Sequence, residues 1–200
     1  MVSLFAKTGN LETRYENIHK DLIDACGRGD RNAQFRIYKL YYKAMFNTSL
    51  RIVNDTAEAE DIMQESFLDA FQRLDSYSGQ GSFGSWLKRI VVNNSLDSLR
   101  RVKDTVSIDD AGLDIAEEKE ENHEAEIRFQ AEEVVRAIKK LPNEYRIIIS
   151  LHLLEGYDHE EISEILDISN QLSRTRYSRA RLKLLEILKD SKFRNAFIYN

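Results

Sequence analysis

Residues 156–188 read GYDHEEISEILDISNQLSRTRYSRARLKLLEIL, and this stretch decides the fold of the second half of the chain. Asp158 can cap a helix N-terminus, and Glu161 stands three residues later, where it can complete a capping box. Apolar residues then recur on one face of that helix, at Ile162, Ile165 and Leu166. The pattern breaks at Asp167, a residue type that tolerates a tight turn, and Ser169 can cap a second helix. The stretch therefore predicts a helix-turn-helix.

The second helix of this pair has two different faces. At about 100° per residue, one narrow arc should face the core and contains Ser173, Tyr177, Ala180, Leu184 and Leu188. The opposite arc is polar and contains Gln171, Arg174, Thr175 and Ser178. Residues 170–185 include five cations and no acid, which is typical of a helix that lies in a groove of DNA. The alternative is a solvated basic helix that only closes a helical domain.

The composition favours a mostly helical protein, because the 200 residues include a single proline and eight glycines. No stretch approaches the roughly 20 apolar residues needed to cross a bilayer, and the N-terminus lacks a signal-peptide pattern. We therefore expect a cytoplasmic protein without membrane insertion. Cys26 is the only cysteine, and we expect it to be a small helix residue rather than a nucleophile.

The acidic charge of the chain is concentrated in one segment. Residues 104–133 carry 2 Lys/Arg against 12 Asp/Glu, whereas residues 1–103 carry 15 against 13 and residues 134–200 carry 12 against 9. The acidic segment also has few apolar residues, which predicts a linker. The predicted organisation is an extension (1–20), a helical domain (21–103), the acidic linker (104–133), a helix-turn-helix domain (134–190) and a tail (191–200). The predicted fold class is all-α, with two small helical domains.

Two amphipathic helices are predicted before the linker. The helix over residues 32–53 has a wide face that we expect to be core, formed by Phe35, Tyr38, Tyr41, Tyr42, Met45 and Phe46. The helix over residues 57–74 has an apolar stripe of Ile62, Met63, Phe67, Phe71 and Leu74. Its other face is acidic, with Asp55, Glu58, Glu60, Asp61, Glu65 and Asp69 and no base. That face is either solvated or docks a basic partner.

A polar glycine-containing loop over residues 76–82 leads into another amphipathic helix over residues 83–101. The buried stripe of this helix is predicted to be Phe83, Leu87, Ile90 and Val91, with Trp86 beside it. A lone Trp next to such a stripe is commonly part of the core. Beside a polar loop and the cations of this helix, it can also stack on unpaired bases.

Together these motifs resemble the extracytoplasmic-function class of bacterial RNA polymerase sigma factors, from about residue 24 to residue 188. Four stretches carry the resemblance, in this order: DTAEAEDIMQESFLDAF from Asp55, FGSWLKRIVVNNSLDSLRR from Phe83, LPNEYR from Leu141, and the helix-turn-helix. The resemblance implies a transcription initiation factor whose partners are core RNA polymerase and promoter DNA, with an anti-sigma factor as a candidate partner. Its N-terminal domain would bind and melt the minus-10 element, and its C-terminal domain would read the minus-35 element.

The resemblance also assigns roles to individual residues. Polymerase docking falls to Asp61, Gln64 and Glu65. Minus-10 binding and melting fall to Ser78, Gly79, Gln80, Phe83, Trp86, Asn93, Arg100 and Arg101, with the loop over residues 78–82 capturing a flipped base. Minus-35 recognition falls to Gln171, Arg174, Thr175, Ser178 and Arg179. The chain departs from the class at Asp167, where glycine is usual, and at Leu172-Ser173, where Thr-Val is commoner.

Two other functions compete with this interpretation. An enzyme is disfavoured, because the four histidines are scattered and no phosphate loop, nucleophile elbow or cation loop is present, so we predict no cofactor or metal. A helix-turn-helix regulator that works without polymerase is the stronger rival. It would have no use for an acidic docking helix followed by a glycine loop and Trp86, which favours the sigma factor.

Overall fold

The computed structural model describes residues 20–79, 81–105 and 123–190, and every regular element in those ranges is helical. The chain divides into two compact units, Met1–Arg100 and Arg101–Asn200. The all-α prediction is confirmed. Within the described ranges, no helix is both long and apolar enough to span a membrane.

The first unit contains four helices: α1 over residues 20–27, α2 over Arg31–Val53, α3 over Thr56–Gln72 and α4 over Phe83–Thr105, with a 3-10 turn at Leu74–Ser76. Short caps separate them. Gly29 has a φ of 81° after α1, and the Asp30 carboxylate accepts the Asn32 N–H at 2.8 Å to begin α2. Asn54 ends α2 in the left-handed conformation, and Asp55 caps α3.

The core of the first unit lies between these helices. Its buried residues include Ile37, Met45, Phe67, Leu87 and Val91. Tyr38 packs across α2 and α3, with its ring centroid 5.0 Å from that of Phe67. The prediction that Phe35 belongs to this core is wrong, because its side chain is 58% exposed. Phe35 lies about 160° around the helix from Ile37, so the predicted aromatic face was too wide to be buried on one side.

The second unit contains α5 over His123–Lys139, α6 over Asn143–Ile149, α7 over His159–Leu166 and α8 over Asn170–Asp190. α5 begins inside the segment predicted as a linker, eleven residues before Val134, where helical order was expected to return. The core of this unit includes the buried residues Ile138, Leu141, Ile149, Ile162 and Leu184. Pro142 stands at the N-cap of α6, as expected for a residue without an N–H to satisfy.

α6 does not continue as a regular α-helix up to Gly156. After α6 the chain forms a wider π turn over Ser150–Leu154, and the Glu155 N–H donates to the Ser150 carbonyl at 3.0 Å. A π turn changes the register of the side chains, and Leu153 is 51% exposed. Gly156, with a φ of 83°, then redirects the chain into α7.

Candidate nucleic-acid and protein interfaces

Local hydrogen bonds build the helix-turn-helix of α7 and α8. Asp158 Oδ1 accepts the N–H of Glu161 at 2.9 Å, and the Glu161 carboxylate accepts the N–H of Asp158 at 2.8 Å, which confirms the capping box. The Glu161 N–H is also the main reason that the pKa of the Asp158 carboxyl is lowered. Asp167 ends α7 at a φ of 52°, and Ser169 Oγ accepts the Leu172 N–H at 3.2 Å. The predicted turn is therefore made by the residues expected to make it.

α8 separates a core face from an exposed polar face, as its periodicity predicts. Ser173, Ala180, Leu184 and Leu188 are buried and Tyr177 is half-buried, whereas Gln171, Arg174, Thr175, Ser178 and Arg179 are all exposed. Arg174 Nε donates to Asn170 Oδ1 at 2.8 Å, which fixes the side chain near the start of the helix. A guanidinium has five N–H donors, so others can meet a base edge or a phosphate.

A cluster of two histidines and a tyrosine supports the N-terminal half of α8. The rings of His152 and His159 stack with centroids 4.6 Å apart, and both contact the ring of Tyr177. His159 Nδ1 lies 3.0 Å from Ser173 Oγ. Burial lowers the pKa of His159, and the charges of His152 and Arg174 lower it further. The cluster therefore favours a neutral His159 ring directly behind the exposed face of α8.

The glycine loop of the first unit is anchored at both ends. The Tyr77 hydroxyl donates to the Gly81 carbonyl at 2.6 Å, and Ser82 Oγ accepts an N–H from the first turn of α4 at 3.1 Å. Between them Gly79 has a φ of 73°, a conformation that is strained for other residues. Gln80, predicted to take part in minus-10 binding, lies outside the described residues.

An aromatic cluster stands directly beside this loop. Trp86 is half-buried, and its ring centroid lies 5.5 Å from that of Tyr77 and 5.4 Å from that of Phe83. Phe83 is buried and contacts Tyr41 at 5.5 Å. A Cβ at Gly84 would lie 2.9 Å from Tyr41 Cε1, so the close packing of α2 on α4 depends on glycine there. Trp86 thus packs on two aromatic rings while part of its side chain stays accessible to solvent.

A cavity of about 670 Å³ opens between α1 and the glycine loop. Its wall includes Lys20 and Asp24 of α1, Arg28 directly after α1, and Tyr77, Ser78 and Gly79 of the loop. The volume falls in the range of small-molecule pockets. Asp75 also lines the cavity, so its wall has two cations and two carboxylates that can meet a phosphate and a base amino group. Sequence patterns did not predict the part of α1 in this cavity, because α1 reaches the loop only through tertiary packing.

A polar stripe runs along the outer side of α4. Its members recur every three or four residues and are Trp86, Arg89, Asn93, Asp97 and Arg100, all exposed except the half-buried Trp86. Arg100 Nη1 donates to Asp97 Oδ1 at 2.9 Å. Arg101 is also exposed but lies to one side of the stripe. Three of the predicted minus-10 residues therefore share one surface, which also includes the unpredicted Arg89.

The acids of α3 fall into two groups. Three of them serve the unit itself: Asp55 caps α3, Glu58 accepts a hydrogen bond from Ser98, and Asp69 accepts one from Asn94. The other three, Glu60, Asp61 and Glu65, are exposed, as is Gln64. Leu68 lies on the same side, one turn after Gln64 and Glu65, and is 62% exposed. The exposed acids of α3 therefore have an exposed apolar side chain beside them, which charge patterning did not reveal.

Comparison with known proteins places this chain in a family. A model of sigma-70 region 2 matches residues 37–105, and a model of sigma-70 region 4 matches residues 131–184. The RNA polymerase sigma-H factor of Pseudomonas aeruginosa is 30% identical over 172 residues, which cover 81% of this chain and 89% of that protein. The extracytoplasmic-function sigma factor SigW of Bacillus subtilis is also 30% identical, over 185 residues that cover 88% of this chain and 99% of that protein. The chain belongs to the extracytoplasmic-function sigma factors.

A solved sigma factor structure has the same fold. It is RpoE from Bartonella quintana, solved in complex with the anti-sigma factor NepR. The match covers 78% of this chain and 97% of the solved chain, with a TM-score of 0.57 and 22% sequence identity. In the present sigma factor, region 2 includes most of α2, then α3, the glycine loop and α4. Region 4 includes the end of α5, then α6, α7 and most of α8. A sigma factor directs RNA polymerase to promoters. The roles of its individual residues remain predictions.

Proposed function

We propose that this sigma factor works through three surfaces: the exposed acids of α3 for core polymerase, the glycine loop with the α4 stripe for the minus-10 element, and the polar face of α8 for the minus-35 element. One observation supports this most strongly. A single helical unit presents exposed acids without a base on α3 and an anchored loop with an aromatic cluster at the start of α4. A polymerase-independent regulator would use neither.

Docking would combine charge with apolar burial. Asp61 and Glu65 lie one turn apart and are exposed, so they can pair with a basic surface of the polymerase clamp. Leu68 lies one turn further and can be buried in the same contact, which would contribute most of the affinity, since exposed ion pairs contribute little.

Melting needs a receptor for an extruded base and a surface for the fork. The cavity beside Ser78 and Gly79 would hold the base, with Lys20 or Arg28 near its phosphate. Trp86 would stack on the neighbouring unpaired base, and Asn93 and Arg100 on the same stripe would contact the strand. The protein would thereby replace the stacking that the duplex loses.

Upstream recognition would follow from the exposed face of α8. Arg174 and Gln171 can make bidentate contacts to base edges, while Arg179 meets the phosphates. The solved relative from Bartonella quintana is bound to an anti-sigma factor, and we propose a protein of that kind as a further partner here. The chain would act by binding, not as an enzyme, and in the cytoplasm, where polymerase and promoters are found.

The decisive experiment reverses the charge of the docking face. Asp61→Lys with Glu65→Lys should abolish binding to purified core polymerase and polymerase-dependent transcription, while helix content stays unchanged because both side chains are exposed. A matched control reverses two exposed acids of the other unit, Glu132→Lys with Glu164→Lys, and should bind core polymerase normally. Wild-type affinity of the Asp61/Glu65 variant for core polymerase would overturn the docking proposal.

A further inference from the structure

α2 is a basic helix throughout its length. Between Arg31 and Val53 it contains five cations and no acid, namely Arg31, Arg36, Lys39, Lys43 and Arg51. The protein as a whole has a net charge of -5, so this helix is a local reversal of sign. Arg36, Lys39 and Lys43 are exposed. Their charge is therefore presented to solvent along the middle of the helix.

Two large apolar side chains are exposed among these cations. Phe35 is 58% exposed and Leu40 is 57% exposed. The Lys39 ammonium lies 5.1 Å from the centroid of the Phe35 ring, so the cation and the aromatic ring form one continuous patch. Exposed apolar residues grouped in this way commonly mark an interaction site.

The helical register places these residues on one side. At about 100° per residue, Phe35, Arg36, Lys39, Leu40 and Lys43 fall within an arc of about 140°. Ile37, Met45 and Ile52, which are buried, point to the opposite side. The α2 surface, as we call these five exposed residues, is thus a compact patch about 12 Å long, the rise of eight helical residues.

We propose that the α2 surface is a docking site for an acidic amphipathic helix of a partner protein. Carboxylates of that helix would pair with Arg36, Lys39 and Lys43, and its apolar side chains would cover Phe35 and Leu40. A nucleic acid suits the cations, but its phosphates and sugars give an aliphatic residue such as Leu40 little to pack against. The site uses none of the residues assigned above to polymerase or promoter, so it is an additional function.

A suitable probe is a synthetic helical peptide of about 18 residues, with leucines every three or four positions and glutamates and alanines elsewhere. The control peptide has the same composition, with its leucines distributed around the helix. Titration calorimetry with the full-length protein should show about tenfold weaker binding of the control peptide, since it has no apolar face. Raising the salt from about 50 to about 300 mM should weaken binding of the probe.

Variants locate the binding site. We expect two double variants to bind the probe peptide about tenfold more weakly, or worse. One is Phe35→Ser with Leu40→Ser, and the other is Lys39→Glu with Lys43→Glu. The matched controls, Leu182→Ser and Lys140→Glu, change an exposed leucine and an exposed lysine of the other unit and should alter affinity less than about twofold. If either double variant fails to fold, the single variants Phe35→Ser and Lys39→Glu replace it, because each removes one exposed group.

Several results would overturn the proposal. Equal affinity for both peptides would contradict the proposed docking site. An equal loss of peptide affinity in the α2 variants and the control variants would contradict it as well. Displacement of the peptide by a single-stranded oligonucleotide would assign the surface to nucleic acid. Loss of core polymerase binding in the α2 variants would make the patch part of the polymerase interface. The Asp61/Glu65 reversal should still bind the peptide, so failure of one proposal is distinguishable from failure of the other.

Discussion

Asn94 of α4 donates its side-chain amide to Asp69 of α3, with 3.2 Å between Nδ2 and Oδ2. The same nitrogen lies 3.1 Å from Ser66 Oγ. One turn along α4, Ser98 donates to Glu58 near the start of α3. These bonds fix α3 and α4 against each other in rotation as well as in distance. The face proposed for polymerase and the stripe proposed for the minus-10 strand are therefore parts of one rigid pair of helices.

Replacing Asn94 tests this connection. Asn94→Ala should lower the free energy of unfolding by about 1–3 kcal/mol. The substitution removes the amide that donates to the Ser66 hydroxyl and the Asp69 carboxylate, in hydrogen bonds that are partly buried. Denaturant unfolding measures the loss. The neighbouring Asn93 is exposed, so Asn93→Ala should change stability by less than about 0.5 kcal/mol. Equal losses in the two variants would show that the Asn94 bonds contribute nothing specific.

If α8 reads the promoter, variants of Arg174 and of Lys183 should have different effects on DNA binding. Arg174→Ala should cost about 1–3 kcal/mol at the preferred upstream sequence and relax the preference there, because a base contact is lost. Lys183 pairs with Glu186 at 2.8 Å and should contact only phosphate in DNA. Lys183→Ala should therefore weaken binding to all upstream sequences by the same factor. Binding assays on a set of upstream sequences distinguish the two. Equal loss on every sequence for Arg174→Ala would contradict base recognition.

Strand separation by Trp86 makes a different prediction. Trp86→Ala should leave polymerase binding nearly intact but lower open-complex formation at least tenfold, which is about 1.4 kcal/mol. A promoter already mismatched across the minus-10 region should recover most of the loss, because its strands are separated in advance. Permanganate footprinting on both templates measures this.

A purely structural Trp86 would behave otherwise. Truncation of a fully buried tryptophan typically lowers the free energy of unfolding by about 3–5 kcal/mol. Because Trp86 is only half-buried, Trp86→Ala should lower it by less. A thermal melt of Trp86→Ala is therefore the control. An unfolded variant, or one equally impaired on duplex and mismatched templates, would rule out a melting role.

The histidine cluster predicts a pH dependence of stability. The pKa of His159 is lowered from its usual 6.5 in the folded state, first by burial. The unfolded chain therefore binds the proton more readily, so the contribution of neutral His159 is complete above pH 6.5 and is lost as the pH falls through the folded-state pKa. Thermal melts should show the stability of wild type decreasing below pH 6.5, and His159→Gln should show a smaller decrease. The same slope in both proteins would assign the effect elsewhere.

Much of the second unit could be predicted from the sequence because its determinants are local. The capping box of Asp158 and Glu161, the turn at Asp167 and the two faces of α8 all depend on residues within a few positions of each other. The exposed acids of α3 were predictable for the same reason.

Most of the missed features depend on how one element packs against another. Phe35 fits an aromatic pattern, but only the packing of α2 on α3 decides which ring is buried. The cavity needs α1 to meet the glycine loop some 50 residues later in the sequence, and the stack of His152 on His159 needs the π turn to meet α7. The start of α5 was missed because the acidic charge before Val134 favours a linker. Glutamate also has a high helical propensity, so an acidic segment can be helical.

The aromatic cluster also gives the protein an optical property. Trp86 is the only tryptophan of the chain, and its half-buried ring lies between Tyr77, Phe83 and the glycine loop. The fluorescence emission of this one indole depends on its access to solvent, so it reports how polar the surroundings of Trp86 are. A nucleobase stacked on the ring would quench that emission. Rapid mixing of the unlabelled protein with a minus-10 single strand would then time base capture at the residue proposed to perform it.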